Sequence, residues 1–264
     1  MRRVLITGHQ GKIGRAVSPA LAAAGYDAVG YDAVSGQELR DGDALAEAAR
    51  GCRYVVHLAA IPRDGLRPPE DIMAANVYGT FNVLAAAEVC GAERVVFASS
   101  IHALGVLSRG PDYLPLDDDH PTYPRTAYAV SKRLGEEMCR AFTAAHGVPT
   151  VCLRPSWVLS SEERDQMGGL RDQRGPWGHR IWIDVRDVAS AVVRALECPD
   201  PGHVCLLLAA DDAAGDRPSR AIAEELGALW REAGGSPRPF QSLVDTRRAR
   251  DVLGWEPRHR WADA

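Results

Sequence analysis

Apolar residues in this chain fall either in short unbroken runs or at every third and fourth position, and the two patterns take turns. Val4-Leu5-Ile6-Thr7 is a short run that predicts a buried strand. After it, Ala16, Val17, Ala20, Leu21 and Ala24 recur at helical spacing until Gly25, which is placed to cap a helix. A second strand is expected over residues 27–31, a short helix around Leu45, Ala46 and Ala49, and a third buried strand over residues 54–60, bounded by a loop with Pro62, Pro68 and Pro69. Residues 94–98 form a fourth strand. Strands that alternate with helices predict an α/β chain with a doubly wound parallel sheet. Pro19 lies inside the first helix, removes one of its hydrogen bonds and is expected to distort it locally.

The turn between the first strand and helix is Gly8-His9-Gln10-Gly11-Lys12-Ile13-Gly14. In a strand-to-helix turn of this spacing, the first glycine permits the tight turn and the second lets backbone approach a pyrophosphate. The third lets the helix pack on the strand, and the helix N-terminus faces the anion. Asp32, at the end of the second strand, is at the distance expected for an acid that holds an adenosine ribose. An acid there repels a 2′-phosphate and favours NAD over NADP, whereas Lys12 and Arg15 keep the phosphorylated cofactor open.

Proton chemistry is indicated by Tyr128-Ala129-Val130-Ser131-Lys132, since residues four apart share a helix face. A phenol with a pKa of about 10 is a poor base at neutral pH unless a cation stabilises its anion. Lys132 is one of only two lysines among 31 basic residues, the other being Lys12. The strand over 94–98 delivers Ser99 and Ser100 to its carboxyl end, where open α/β sheets bind ligands.

Composition excludes more than it specifies. A chain of 264 residues with 46% hydrophobic content can bury one large core, and a net charge of -4 gives no reason to invoke nucleic acid or an anionic membrane. There is no run of about 18 apolar residues, and Met1-Arg2-Arg3 passes directly into the first strand. Six scattered cysteines, several in apolar runs, are expected to be reduced core residues of a cytoplasmic protein. No metal site is expected, because the eight histidines form no ligand-spaced cluster with each other or with cysteine.

These motifs resemble the extended short-chain dehydrogenase/reductases of the NAD-dependent epimerase/dehydratase superfamily. The resemblance rests on the glycine turn, His57-Leu58-Ala59-Ala60, Asn76 in Ala75-Asn76-Val77-Tyr78-Gly79-Thr80, Ser100 and the Tyr128/Lys132 pair. Arg154-Pro155, Ile183-Asp184-Val185-Arg186-Asp187-Val188-Ala189 and Ala249-Arg250-Asp251-Val252-Leu253-Gly254-Trp255 extend it almost end to end. It implies a Rossmann-type fold with a small C-terminal substrate lobe: one domain over 1–264, with 1–155 mainly the NAD-binding core and 156–264 mainly the lobe. It implies an NAD site from Gly8, Gln10, Gly11, Lys12, Ile13, Asp32, Leu39, Leu58, Ala59, Ala60, Asn76, Tyr128, Lys132 and Pro155.

Catalysis would fall to Ser100, Tyr128 and Lys132. Tyr128 exchanges the hydroxyl proton, Lys132 lowers its pKa and holds the nicotinamide ribose, and Ser100 orients the reacting oxygen. Asn76 would support the active-site Lys through the interior. The helices bearing Asn76 and Tyr128 could pair across a homodimer.

The substrate is narrowed by two departures. The superfamily's 4,6-dehydratases carry Asp-Glu after the active-site Ser or Thr, where this chain has Ile101-His102; dehydration is not expected. The lobe from Ser156 onward is short for a nucleotide sugar and points to a small substrate. The branch most similar in length and motifs is uronate dehydrogenase, which reads Ser-Ser-Asn-His after the catalytic strand; here Ser99-Ser100-Ile101-His102 keeps the His. Ile61-Pro62 replaces polar substrate-side contacts of that branch.

His102 is then a donor to substrate or a satisfied strand-end histidine. Arg164 is either the partner of a substrate carboxylate, bound bidentately, or a solvated loop residue among Glu162, Glu163 and Asp165. Arg171, Arg174, Arg180 and Trp177, with glycines at 168, 169, 175 and 178, form a lid or a disordered stretch. Three functions fit: an NAD-dependent dehydrogenase of a small sugar or sugar acid, with hexuronate as its sharpest form; a nucleotide-sugar epimerase or ketoreductase; and a non-catalytic nucleotide sensor. An intact Ser100, Tyr128 and Lys132 argues against the last.

Overall fold

The computed structural model describes residues 2–168, 177–232 and 238–261. Its strands are β1 (Arg2–Thr7), β2 (Tyr26–Tyr31), β3 (Tyr54–His57), β4 (Arg94–Ala98), β5 (Tyr113–Leu114), β6 (Thr150–Pro155), β7 (Trp157–Leu159), β8 (Trp182–Asp184), β9 (His203–Leu208) and β10 (Leu229–Trp230). Six of them form one sheet in the order β2-β1-β3-β4-β6-β9, with every neighbouring pair parallel. Two parallel pairs, β5 with β10 and β7 with β8, stand apart from it. The chain moves outward from β1 to β2, then crosses back to place β3 on β1's other side. Ligands bind in the crevice that this reversal opens beyond the strands' carboxyl ends.

Helices cover both faces. α1 (Lys12–Ala23) and α8 (Val185–Glu197) pack together on one side. There Val4, Ile6, Val56, Val96, Val151, Leu206 and Leu208 meet Val17, Leu21, Val188, Val192 and the C-terminal Trp255. α2 (Gly42–Ala49), α3 (Pro69–Met73), a five-residue π turn (Ala74–Tyr78), α4 (Gly79–Val89), the single turn α5 (Val106–Arg109) and α6 (Ala127–His146) follow. Leu5, Val55, Val95, Phe97 and Cys152, the alternate residues of the same strands, face α2, α4 and α6. The remaining helices are α7 (Ser161–Gly168), α9 (Ser219–Leu226) and α10 (Arg247–Leu253). A third core joins Ile101, Leu104, Leu114, Leu207, Ile222 and Leu243 beyond the ends of the strands.

Gly25, at φ +81°, follows the end of α1 as its spacing predicts, and the helix runs unbroken through Pro19. The third strand is shorter than its apolar run. It stops at His57, because Leu58, Ala59 and Ala60 leave the ladder to wall the glycine turn. Among the described residues one helix, Pro69–Val89 with its π turn, is long and apolar enough to cross a membrane; half of it is buried in the protein. Of the charged stretch read as a lid, Arg171 and Arg174 with Gly169 and Gly175 lie outside the described residues, while the guanidinium of Arg180 is buried and donates to the Ala214 carbonyl at 3.2 Å.

Candidate active site

The glycine turn leaves β1 at Gly8, whose φ of +75° suits only glycine without strain. A Cβ there would come within 2.6 Å of the Ala59 nitrogen, and one on Gly14 would collide with the Gly8 carbonyl. α1 begins after Gly11 with no side-chain cap and no acidic residue in its first turn. Its first N–H groups are therefore available to an anion, which the helix dipole also favours. Ile13 and Leu58 pack on the core beneath.

Asp32 is buried at the end of β2, accepting from Gln10 N at 2.8 Å and Val34 N at 3.0 Å. The Gln10 side chain donates to Ser35 Oγ at 2.6 Å. The two nearby cations are engaged elsewhere. Lys12 binds the Glu163 carboxylate at 2.7 Å and the Val158 carbonyl at 3.3 Å, and Arg15 donates to the Gln10 carbonyl at 2.7 Å. Leu39 lies against Gly79, and its carbonyl accepts from Asn82 at 2.9 Å.

A buried chain of neutral groups braces the crevice, and nothing in the sequence spacing predicts it. Thr80 donates to the Asn76 carbonyl at 2.5 Å, so it accepts from His57 Nε2 at 2.9 Å. A neutral imidazole has one N–H; Nδ1 therefore accepts from Thr7 Oγ1 at 2.7 Å, and Thr7 in turn accepts from Ala59 N at 3.4 Å. Burial, helped by the Lys132 charge, pushes the His57 pKa down to about 3 and keeps the ring neutral.

Tyr128 occupies the first turn of α6, where Thr126 caps the helix and Asp64, from the loop after β3, accepts from Tyr128 N at 3.0 Å. Ser100 starts a 3₁₀ turn after β4, with its hydroxyl accepting from His102 N at 3.2 Å. That hydroxyl also neighbours the Tyr128 phenol and favours its anion, and the His102 ring meets the Tyr128 ring edge-on, centroids 5.3 Å apart. Burial pushes the phenol up to about 12, opposed by Ser100 and assisted by Asp64. Burial also lowers His102, against Asp64.

Lys132 shares the helix face as expected, but its ammonium donates to the Ala98 carbonyl at 2.7 Å and sits 5.8 Å from the centre of the Tyr128 ring. Burial lowers it to about 8, while Glu136, Cys139 and Cys152 act to raise it. The expected depression of the phenol by Lys132 is thus not seen: desolvation dominates, and the cation is turned to a backbone carbonyl.

Asn76 lies in the π turn. Its amide accepts from Ile61 N at 2.8 Å and donates to the Ile61 carbonyl at 3.1 Å and to Ser131 Oγ at 3.0 Å. It fixes the loop beside Ala60 and the helix next to Lys132, and its amide's hydrogen bonds go to Ile61 and Ser131. Behind Ser100, Ser99 donates to Glu136 at 2.6 Å, and Glu136 binds Arg154 through two bonds of 2.7 and 2.9 Å. Pro155 ends β6 opposite Leu208.

Arg164, on α7, is buried, against the solvated-loop reading. It donates to the Arg260 carbonyl and Asp165, both at 3.4 Å, and among the described residues its Nε has no partner. Among the described residues no hydrogen bond or ring contact joins it to Ser100, His102 or Tyr128. Asp64, Thr7, Thr80 and Glu136 brace the neighbours of these residues through contacts that motif reading does not reach. Strand register also brings Cys152, His203 and Cys205 together, which their sequence spacing does not announce.

Residues 4–205 match the NAD dependent epimerase/dehydratase family. An L-arabinose 1-dehydrogenase (NAD(P)(+)) of Haloferax volcanii is 30% identical over 231 residues, spanning 80% of this chain and 90% of that one. A uronate dehydrogenase of Pseudomonas syringae pv. tomato is 27% identical over 222 residues, 80% and 75% of the two chains. The structure of a short-chain dehydrogenase/reductase superfamily protein from Agrobacterium tumefaciens with bound NAD is similar at a TM-score of 0.75 and 27% identity, covering 98% of this chain and 94% of that one. With its parallel sheet, uncapped glycine turn and Ser100, Tyr128 and Lys132 beyond the end of β4, the chain belongs to the NAD dependent epimerase/dehydratase family of the short-chain dehydrogenase/reductases.

Proposed function

We propose that this protein is an NAD-dependent dehydrogenase that oxidises the anomeric carbon of a small free sugar or sugar acid, with a hexuronate going to its lactone as the sharpest form. The observation that carries the reading is the Ser100–Tyr128 contact beside His102, at the carboxyl end of β4 and across the crevice from the glycine turn. The relatives named for oxidation of arabinose at position 1 and of uronate support the substrate class. Ile101 and His102 offer no carboxylate where dehydratases of the superfamily place two.

NAD, when bound, supplies the hydride acceptor. The uncapped start of α1 and the close approach of Gly8 to Ala59 suit its pyrophosphate, and Asp32 suits its adenosine ribose. Ser100 hydrogen-bonds the sugar oxygen and aims it at Tyr128, which takes the hydroxyl proton. Tyr128 can take that proton only as the phenolate, having first given up its own; burial raises the phenol's pKa, so the base form and with it oxidation are favoured as pH rises. Lys132 supplies a cation on the same helix face, anchored on the Ala98 carbonyl, and would hold the ribose of the bound cofactor. The unmatched buried Nε of Arg164 is the donor in search of an acceptor that supports a carboxylate substrate.

The test is NADH production with free pentoses, hexoses, hexuronates and nucleotide sugars, for wild type and Tyr128→Phe. Growth of NADH with a free sugar or uronate, abolished in Tyr128→Phe while NAD affinity stays within about twofold, is the expected result, because the phenol acts on the proton alone. Isomerised nucleotide sugar without net NADH would replace this reading by an epimerase.

A further inference from the structure

β9 is an edge strand of the main sheet, and its register with β6 sets Thr150 opposite His203 and Cys152 opposite Cys205. Cys152 and Cys205 point to the face covered by α6, where Cys139 projects toward them. The sulfurs of Cys152 and Cys205 and a ring nitrogen of His203 all lie within 4.8 Å of one another, and Cys205 Sγ is 3.7 Å from His203 Nε2. A tetrahedral ion with bonds of about 2.3 Å to sulfur and about 2.0 Å to nitrogen sets its ligands about 3.6 Å apart. The pair is already at that separation.

Orientation of the histidine provides a second, independent observation. The Thr150 hydroxyl lies 2.8 Å from His203 Nδ1, 2.8 Å from Thr143 Oγ1 and 3.2 Å from the Cys139 carbonyl, so it anchors the imidazole through Nδ1. With Thr150 donating to that carbonyl or to Thr143, it accepts from Nδ1–H, and the Nε2 lone pair then faces Cys205. A histidine whose second nitrogen is anchored in this way is the usual outer support of a metal ligand. The Cys139 thiol on α6 neighbours Cys152 and acts to raise its pKa, without joining the three-ligand cluster. All of these cysteines are free thiols, and half-buried His203 and Cys205 give access from the sheet edge.

We propose that Cys152, His203 and Cys205 form a binding site for one thiophilic divalent cation of the Zn²⁺ class, with the fourth position filled by water. The site lies near the start of β6, away from the crevice at that strand's carboxyl end, so its ion takes no part in the hydride step. Burial raises both thiols, Cys152 through desolvation first and Cys205 through its bond to Cys152 first; they bind as thiolates only by giving up their protons.

The experiment is titration of the reduced, metal-free full-length protein with Co²⁺, followed by displacement with Zn²⁺. One equivalent should develop the visible spectrum and thiolate charge-transfer band of a tetrahedral site, with about two protons released per ion. Cys205→Ser and His203→Ala, both at half-buried positions, should each weaken binding at least about tenfold, and Thr150→Val about tenfold through loss of the ring's anchor. Cys90→Ser should leave it unchanged, and near-ultraviolet dichroism and NAD binding verify that each variant is folded. A six-coordinate spectrum, no band at one equivalent, or a band that survives intact in both Cys205→Ser and His203→Ala would overturn the proposal.

Discussion

Replacing Glu136 with Gln should destabilise the protein severely. The Glu136 side chain is fully buried and its partner Arg154 is 5% exposed, so screening by water does not soften the pair. One carboxylate oxygen accepts from Ser99 at 2.6 Å and Arg154 at 2.7 Å; the other accepts from Arg154 at 2.9 Å and Arg133 at 3.2 Å. A glutamine keeps the shape but turns an NH₂ toward the guanidinium and leaves a buried cation without its counter-charge. Breaking such a pair from one side costs about 3–5 kcal/mol. At roughly 2–4 °C per kcal/mol for a chain of about this size, the melting temperature should fall by roughly 6–20 °C. Urea unfolding of Glu136→Gln, Arg154→Met and the double variant measures the cycle. The double variant should recover most of the loss, because removing both charges removes the uncompensated one. A single-variant cost below about 1 kcal/mol, the value of an exposed pair, or a double variant worse than either single would refute the reasoning.

Asp32→Ala should shift the NAD to NADP ratio of kcat/KM toward NADP by about 10–100-fold, the worth of a hydrogen bond to a charged group; an unchanged ratio would remove Asp32 from the ribose. Arg164→Ala should raise KM for hexuronates about 10–100-fold and leave neutral pentoses nearly untouched. Equal effects on both would make Arg164 a prop for the C-terminal segment. Tyr78 and Phe81 are exposed and stacked, centroids 6.4 Å apart, on the helix that continues from Asn76. If a second copy covers them, Phe81→Glu should convert a dimer to a monomer in sedimentation; a monomeric wild type would sink that idea.

The parallel sheet was legible because strands buried on both faces are unbroken apolar runs, and α6 because Tyr128 and Lys132 sit at helical spacing. The glycine turn was legible for a different reason: its geometry constrains residue type at three fixed offsets. What escaped depends on register and long-range closure. Asp64 binds Tyr128 N across 64 positions, and Cys152 meets Cys205 only because β6 and β9 pair in one register of several. Lys132 shows the limit of spacing arguments, since the helix face was right while the ammonium's partner was set by a carbonyl on β4. The glutamate that holds Arg154 stands four residues beyond Lys132, and nothing in a helical repeat tells a buried acid from a solvated one.

The neutral histidine that braces the crevice has a consequence for where the enzyme can work. His57 holds its pKa near 3 when folded but returns to about 6.5 when unfolded. Between those values the unfolded chain takes up a proton that the native one refuses, so stability rises with pH across this window and drains away as acid is added. The full loss is about 5 kcal/mol, a large share of the roughly 5–15 kcal/mol that holds a domain together. Unfolding free energies at about pH 7 and about pH 4 should differ by several kcal/mol more in wild type than in His57→Gln. The same ring that gives the cofactor crevice a fixed shape thus weakens the fold as acid is added, by about 1–2 kcal/mol at about pH 5.5 and about 3 kcal/mol at about pH 4.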